Sequence, residues 1–213
     1  MKKAIVLGST GMVGTQLIDL LLQSNDYAEV VSLVRRASGI THPKLNEQVV
    51  DFDKPETWSN FVKGDVLFSC MGTTIAKAKT KDNQYKIDYS YQYNVAEAAS
   101  KHGVSTYVLV SSAGANENSV TFYTHMKGQL DADVQKLPFK VISILRPGQL
   151  YGDRTENRVA EKIALSIMFA LNKLGIFKKF KPIHAREVAQ AMINSADNKE
   201  NRIFTLDEVF GLL

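Results

Sequence analysis

The chain has 213 residues, enough for one α/β domain with a large core and a small appendage. Its 45% hydrophobic and 23% charged residues are the proportions of a soluble globular protein, which excludes a disordered or fibrous chain. The net charge of +4 suits an anionic small molecule, and the scattered lysines form no basic run interleaved with aromatics, so nucleic acid is not expected as a partner. A single cysteine, Cys70, excludes an internal disulfide framework and fits a reducing compartment. The start MKKAIVLGSTG has two lysines and a short apolar run but no small-residue cleavage site, so it reads as a first buried strand rather than a signal peptide. No apolar segment reaches the roughly 18 residues that span a bilayer. The expectation is a cytoplasmic protein with a small-molecule substrate and no stable membrane association; a homodimer or a protein partner stays open.

Strand-length apolar runs alternate with helical periodicity. Ala4 to Leu7 predicts a strand, followed by a glycine turn and an amphipathic helix from about Val13 to Gln23. Strands are expected at Glu29 to Val34, Gln48 to Phe52 and Asp65 to Ser69, then a long helix over about Asp82 to Lys101. A strand at Thr106 to Val110, a helix at Val120 to Leu137 and a strand at Phe139 to Leu145 complete the regular part. Continuous apolar strands separated by helices imply a parallel sheet covered on both faces, and the right-handed crossover rule makes it doubly wound. After Gly152 the pattern weakens to helices near Asn157 to Leu174 and Ala185 to Ser195. The whole chain reads as one Rossmann-type domain, with residues 152–213 forming most of a small substrate lobe.

The first strand runs directly into GSTGMVG, with Gly8, Gly11 and Gly14 spaced three apart. Gly8 permits a tight turn, Gly11 lets backbone approach a pyrophosphate, and Gly14 lets the helix pack on the strand. The pyrophosphate would sit at the helix N-terminus, where unpaired N–H groups and the helix dipole favour an anion. This marks a dinucleotide site, with Gly8, Thr10, Gly11, Met12, Val13 and Gly14 as cofactor-binding residues. An NAD site usually places an acidic residue about 20 positions beyond the loop. Here the second strand ends in SLVRRAS, and Arg35 and Arg36 would attract a 2′-phosphate instead. NADP(H) is therefore expected over NAD(H).

GSTGMVG, Arg35-Arg36, CMGTT, SSAG, YTHMK and RPGQLYG, in that order, resemble the atypical short-chain dehydrogenase/reductases over about residues 3 to 195. The likeness is to the branch that contains the mammalian Tat-interacting protein. The resemblance implies that CMGTT lines the nicotinamide side through Cys70, Met71, Gly72, Thr73 and Thr74. It implies an adenine contact from VVDFD through Asp51 and Phe52, and closure over the carboxamide by Pro147 and Gly148 of RPGQLYG. Asp88 stands where that family often has an asparagine in a proton relay.

Tyr123 and Lys127 lie four residues apart, so on a helix they share one face. A nearby ammonium would bring the phenol toward the working range of an acid–base group. By resemblance, Lys127 also binds the nicotinamide ribose, and SSAG supplies a hydroxyl for the substrate oxygen. Ser112 is the preferred catalytic serine, with Ser111 beside the cofactor; a register used in sugar epimerases would select Ala113, which has no hydroxyl. Ser112, Tyr123 and Lys127 are the expected catalytic set of an NADP(H)-dependent oxidoreductase acting on a small carbonyl or alcohol. The rival expectation is an NADPH-binding regulatory protein with little turnover. A sugar epimerase is disfavoured because the chain lacks the further residues of a nucleotide-sugar lobe. The four histidines show no metal-ligand spacing, so no metal is expected.

Overall fold

The computed structural model describes residues 1–152 and 181–213. The chain begins β1 (Lys2–Leu7), α1 (Met12–Gln23), β2 (Tyr27–Val34), β3 (Leu45–Val49), a short α2 (Pro55–Trp58) and β4 (Val66–Ser69). It continues through short helices α3 (Ile75–Ala78) and α4 (Lys81–Tyr85), a π-helical turn (Lys86–Ser90), α5 (Tyr91–Lys101), β5 (Thr106–Val110), α6 (Phe122–Val134) and β6 (Val141–Arg146). Two-residue strands β7 (Leu150–Tyr151) and β8 (Ile183–His184) pair with each other, and α7 (Ala185–Ser195), β9 (Arg202–Thr205) and α8 (Asp207–Phe210) end the chain.

Seven strands form one parallel sheet in the order β3-β2-β1-β4-β5-β6-β9. Alternation along each strand fills both faces. On β1, Ala4 and Val6 join Leu17 and Ile18 of α1 and Val188 and Met192 of α7, whereas Ile5 and Leu7 join Val95 of α5 and Leu130 of α6. The chain moves outward from β1 to β3, then returns to start the other half at β4. The switch point therefore lies between β1 and β4, and a crevice opens beyond their C-terminal ends.

The doubly wound parallel sheet expected from the sequence is the observed architecture. Several details differ. The third strand ends at Val49, so Phe52 lies beyond it and packs its ring against Trp58 and Tyr91. The long helix expected over Asp82 to Lys101 is interrupted by the π turn. The described end of the expected lobe is largely part of the main layers: β9 pairs with β6 as the seventh strand, and α7 covers the face shared with α1. The helix expected at Asn157 to Leu174 lies outside the described residues.

Two glycines of the first turn are required by contact. Gly8 has φ +90, and a Cβ there would stand 2.5 Å from Met71 N; a Cβ on Gly14 would stand 2.1 Å from the Gly8 carbonyl oxygen. Helix propensity alone favours alanine over glycine inside a helix by about 1 kcal/mol. Gly14→Ala is nevertheless expected to lose about 3 kcal/mol through overpacking, lowering Tm by roughly 6–12 °C. A variant as stable as the wild type in thermal unfolding would contradict this packing.

Candidate functional site

The crevice at the switch point is a cleft of about 450 Å³. Three walls meet there. The first is the β1–α1 turn, from which Thr10, Gly11, Met12 and Val13 face the cleft. Gly11 is the cap residue of α1, and no side chain caps the helix's first turn. That leaves first-turn N–H groups available to an anion. The second wall is the loop after β4, carrying Cys70, Met71, Gly72, Thr73 and Thr74, with Lys77 of α3. The third comprises Val110 and Ser111 at the end of β5 and Tyr123 and Lys127 of α6.

Tyr123 is 39% exposed, at the rim, and Lys127 is buried one turn below it. The spacing thus does what the sequence suggested, bringing phenol and ammonium to one cleft. His125 is exposed on another side of the helix.

Lys127 meets Asp88 across the cleft wall, Nζ to Oδ1 at 3.7 Å, with the two side chains 3% and 1% exposed. Both Asp88 oxygens also accept from the Thr73 backbone N–H, at 3.1 and 3.0 Å. Asp88 sits in the π turn, where one extra residue per turn re-aims a side chain. Burial raises its pKa above the ordinary carboxylate value, opposed chiefly by the Lys127 charge. Where the resembled family often has a neutral asparagine, this chain holds a buried ion pair.

The two serines of SSAG divide. Ser111 lines the cleft, because it continues the β5 face of Tyr107 and Leu109 that packs against α6. Ser112 points elsewhere: its Oγ donates to the Ala113 carbonyl at 3.3 Å, and it is not among the residues lining the cleft. Strand alternation separates the two, so Ser111, and not the expected Ser112, is the serine that lines the cleft.

Other expected cofactor residues lie outside this cleft. Arg35 and Arg36 follow β2 and are exposed at the sheet's C-terminal edge, on the side of the glycine turn. Asp51 is an exposed residue paired with Lys54 at 3.7 Å, and the Phe52 ring is in the core. Pro147 accepts from the Ala113 N–H at 3.1 Å, joining the β6 and β5 loops, and Gly148 follows it without lining the cleft. Cys70 lines the wall, and burial pushes its thiol up to about 12.

Gly128 was not foreseen. A Cβ there would stand 2.1 Å from the Asn116 carbonyl carbon, so the loop after SSAG crosses α6 directly beside Lys127 only because residue 128 is glycine. Its signal in the sequence is a glycine in mid-helix, a choice helix propensity disfavours.

These features define a Rossmann-type dinucleotide-binding protein: a parallel sheet, a glycine turn capping α1, and a switch-point cleft lined by both halves. The comparisons with known proteins agree. A family model described as NAD(P)H-binding matches residues 8–199, so the chain belongs to the NAD(P)H-binding family. It is 37% identical over 199 residues to "Protein FMP52-1, mitochondrial" of Scheffersomyces stipitis, covering 91% of this chain and 87% of that protein. It is 35% identical over 202 residues to "Protein FMP52, mitochondrial" of Candida albicans, covering 92% and 88%. Among solved structures, the Bordetella bronchiseptica enzyme WbmH in complex with NAD+ matches with a TM-score of 0.73 at 16% identity, covering 96% of this chain and 76% of that one. That likeness concerns the fold. The relatives' names overturn the cytoplasmic expectation, since they are named as mitochondrial proteins. A lone free cysteine does not separate those compartments.

Because burial raises the Asp88 pKa, the native state holds this proton to higher pH than the unfolded chain does. Its contribution to stability is complete below the unfolded value of 3.8 and declines as pH rises through the folded value. Asp88→Asn keeps an acceptor for Thr73 and removes that titration. The stability of Asp88→Asn relative to wild type is expected to rise as pH climbs above about 4 in denaturant unfolding. A relative stability that falls over that range would contradict the assignment.

Proposed function

We propose that this protein is an NADP(H)-dependent oxidoreductase of the short-chain dehydrogenase/reductase type, acting on a small carbonyl or alcohol. The observation that carries the reading is the convergence of Tyr123 and Lys127 on the cleft whose opposite wall is the α1 N-terminus. A nicotinamide dinucleotide supplies or accepts the hydride when bound. The chain's own part is to bind and orient. The α1 turn takes the pyrophosphate, and Arg35 and Arg36, exposed beyond β2, favour a 2′-phosphate. Lys127 is held by Asp88 in the wall that also carries Tyr123, so an ammonium and a phenol line the same cleft. Tyr123 gives a proton to the substrate oxygen in reduction and removes it in oxidation. The setting we carry over from the relatives' names is mitochondrial.

A second reading has one specific observation in its favour. Ser112, the expected third member of the catalytic set, does not line the cleft. A dinucleotide-binding regulatory protein with little turnover, as in the Tat-interacting branch the sequence resembles, needs the cofactor seat but not that hydroxyl.

One set of measurements separates the readings. Calorimetric titration is expected to show NADPH binding at least about tenfold tighter than NADH, the effect of one charge-assisted contact. A screen of small carbonyl compounds, followed at the NADPH absorbance, should find turnover that Tyr123→Phe lowers by about 10²–10⁴-fold with NADPH affinity nearly unchanged. A Tyr123→Phe variant with full activity would remove the catalytic assignment, and equal affinity for NADH would remove the 2′-phosphate assignment.

A further inference from the structure

Behind the cleft floor lies a buried carboxylate that the proposed chemistry does not use. Asp131 stands one turn beyond Lys127 on α6 and is 1% exposed. Its Oδ2 accepts from Arg146 Nε of β6 at 2.8 Å. Its Oδ1 is buried and completes no hydrogen bond among the described residues, and the same holds for Ser111 Oγ. Ser111 is 7% exposed and lines the cleft. An unsatisfied buried hydroxyl costs about 1–3 kcal/mol, so one facing a binding cleft calls for a partner.

The two orphan oxygens belong together. Burial raises the Asp131 pKa, and the Ser111 hydroxyl is the first of the groups that hold it down, followed by Arg146 and then Lys127. Tyr107 of β5 also feels the Asp131 charge. The Ser111 N–H donates to the Leu145 carbonyl at 2.8 Å, and Arg146, the next residue, donates to Asp131, so β6 brings both groups to the same end of the sheet, where the two orphan oxygens can pair. Asp131 is the anionic half of an ion pair with Arg146, Nε to Oδ2 at 2.8 Å, and a carboxylate can only accept. The proton between the two groups must therefore come from serine. Serine has one proton, so its lone pairs are left facing the cleft.

We infer that Asp131 is a positioning residue that turns Ser111 into a hydrogen-bond acceptor on the cleft floor, where it seats a sugar hydroxyl of the bound dinucleotide. The inference rests on the dinucleotide reading of the cleft. It also gives Ser111 a role distinct from that of a serine that donates to a substrate carbonyl, because its proton is already committed.

Asp131→Asn tests this with little change of shape. Arg146 Nε requires the amide oxygen on its side, so the amide nitrogen faces Ser111 and donates to it. Ser111 must then donate into the cleft, and its polarity is reversed. Titration with NADPH is expected to show Ser111→Ala and Asp131→Asn each weakening binding by about 3- to 10-fold, one neutral hydrogen bond. The double variant should bind no more weakly than Ser111→Ala alone. Losses that multiply in the double variant, or Asp131→Asn binding like wild type, would overturn the inference. Wild-type binding with Ser111→Ala unaffected removes this inference and leaves the dinucleotide site standing; no binding by wild type removes both. If Asp131→Asn does not fold, NADP⁺ titrations at falling pH read the same coupling. The wild-type advantage over Ser111→Ala should shrink as Asp131 takes up its proton, and an advantage that does not change with pH would overturn the inference.

Discussion

The site depends on a backbone approach that only glycine allows. Gly8 lies so close to Met71 that a Cβ would stand 2.5 Å from its nitrogen, and Gly14 lies closer still to the Gly8 carbonyl. These contacts bring the ends of β1 and β4 together and seat α1 against its own entry turn. The crevice of a doubly wound sheet then becomes a cleft with a bare helix N-terminus as one wall. Gly128 repeats the device on the far side, holding the loop after β5 against α6. Three glycines thus fix the distance between the anion-binding wall and the wall that carries Tyr123 and Lys127.

Charge is handled by burial in pairs. Lys127–Asp88 and Arg146–Asp131 are both beneath the cleft surface, one turn of α6 apart on the helix side. Buried pairs seldom add much net stability, because desolvation offsets the attraction. Here they fix orientation instead. Asp88 ties Lys127 to the backbone of the CMGTT loop, so the group beneath Tyr123 and the loop beside it are set by one carboxylate. Arg35 and Arg36 beyond β2 are instead exposed to solvent.

The fold was legible because its signals are local. Apolar runs of strand length and a glycine triple between strand and helix need no knowledge of distant contacts, and Thr106–Val110 and Ala185–Ser195 fall where their patterns placed them. The Tyr123–Lys127 pair was legible for the same reason, since helical spacing carries it. What was missed depends on register or on long-range pairing. Ser112 was preferred over Ser111, but the face that Tyr107 and Leu109 present to α6 passes to the odd-numbered serine. Phe52 read as part of a strand lining the ligand, yet its ring is consumed by Trp58 and Tyr91. Asp88 and Lys127 are 39 positions apart in sequence, and only the π turn re-aims the carboxylate at the lysine. The C-terminal strand Arg202–Thr205 was too short and polar to be placed in the sheet before its pairing with β6 was seen.

The central claim is that a dinucleotide binds across the switch point with its pyrophosphate on the α1 turn. Backbone amide spectra of isotope-labelled protein during addition of NADPH test it directly. The account predicts that the largest changes fall on Gly11, Met12 and Val13 and on Gly72 and Thr73 across the cleft. Changes confined to other parts of the sheet, or to the helices away from its C-terminal edge, would contradict it.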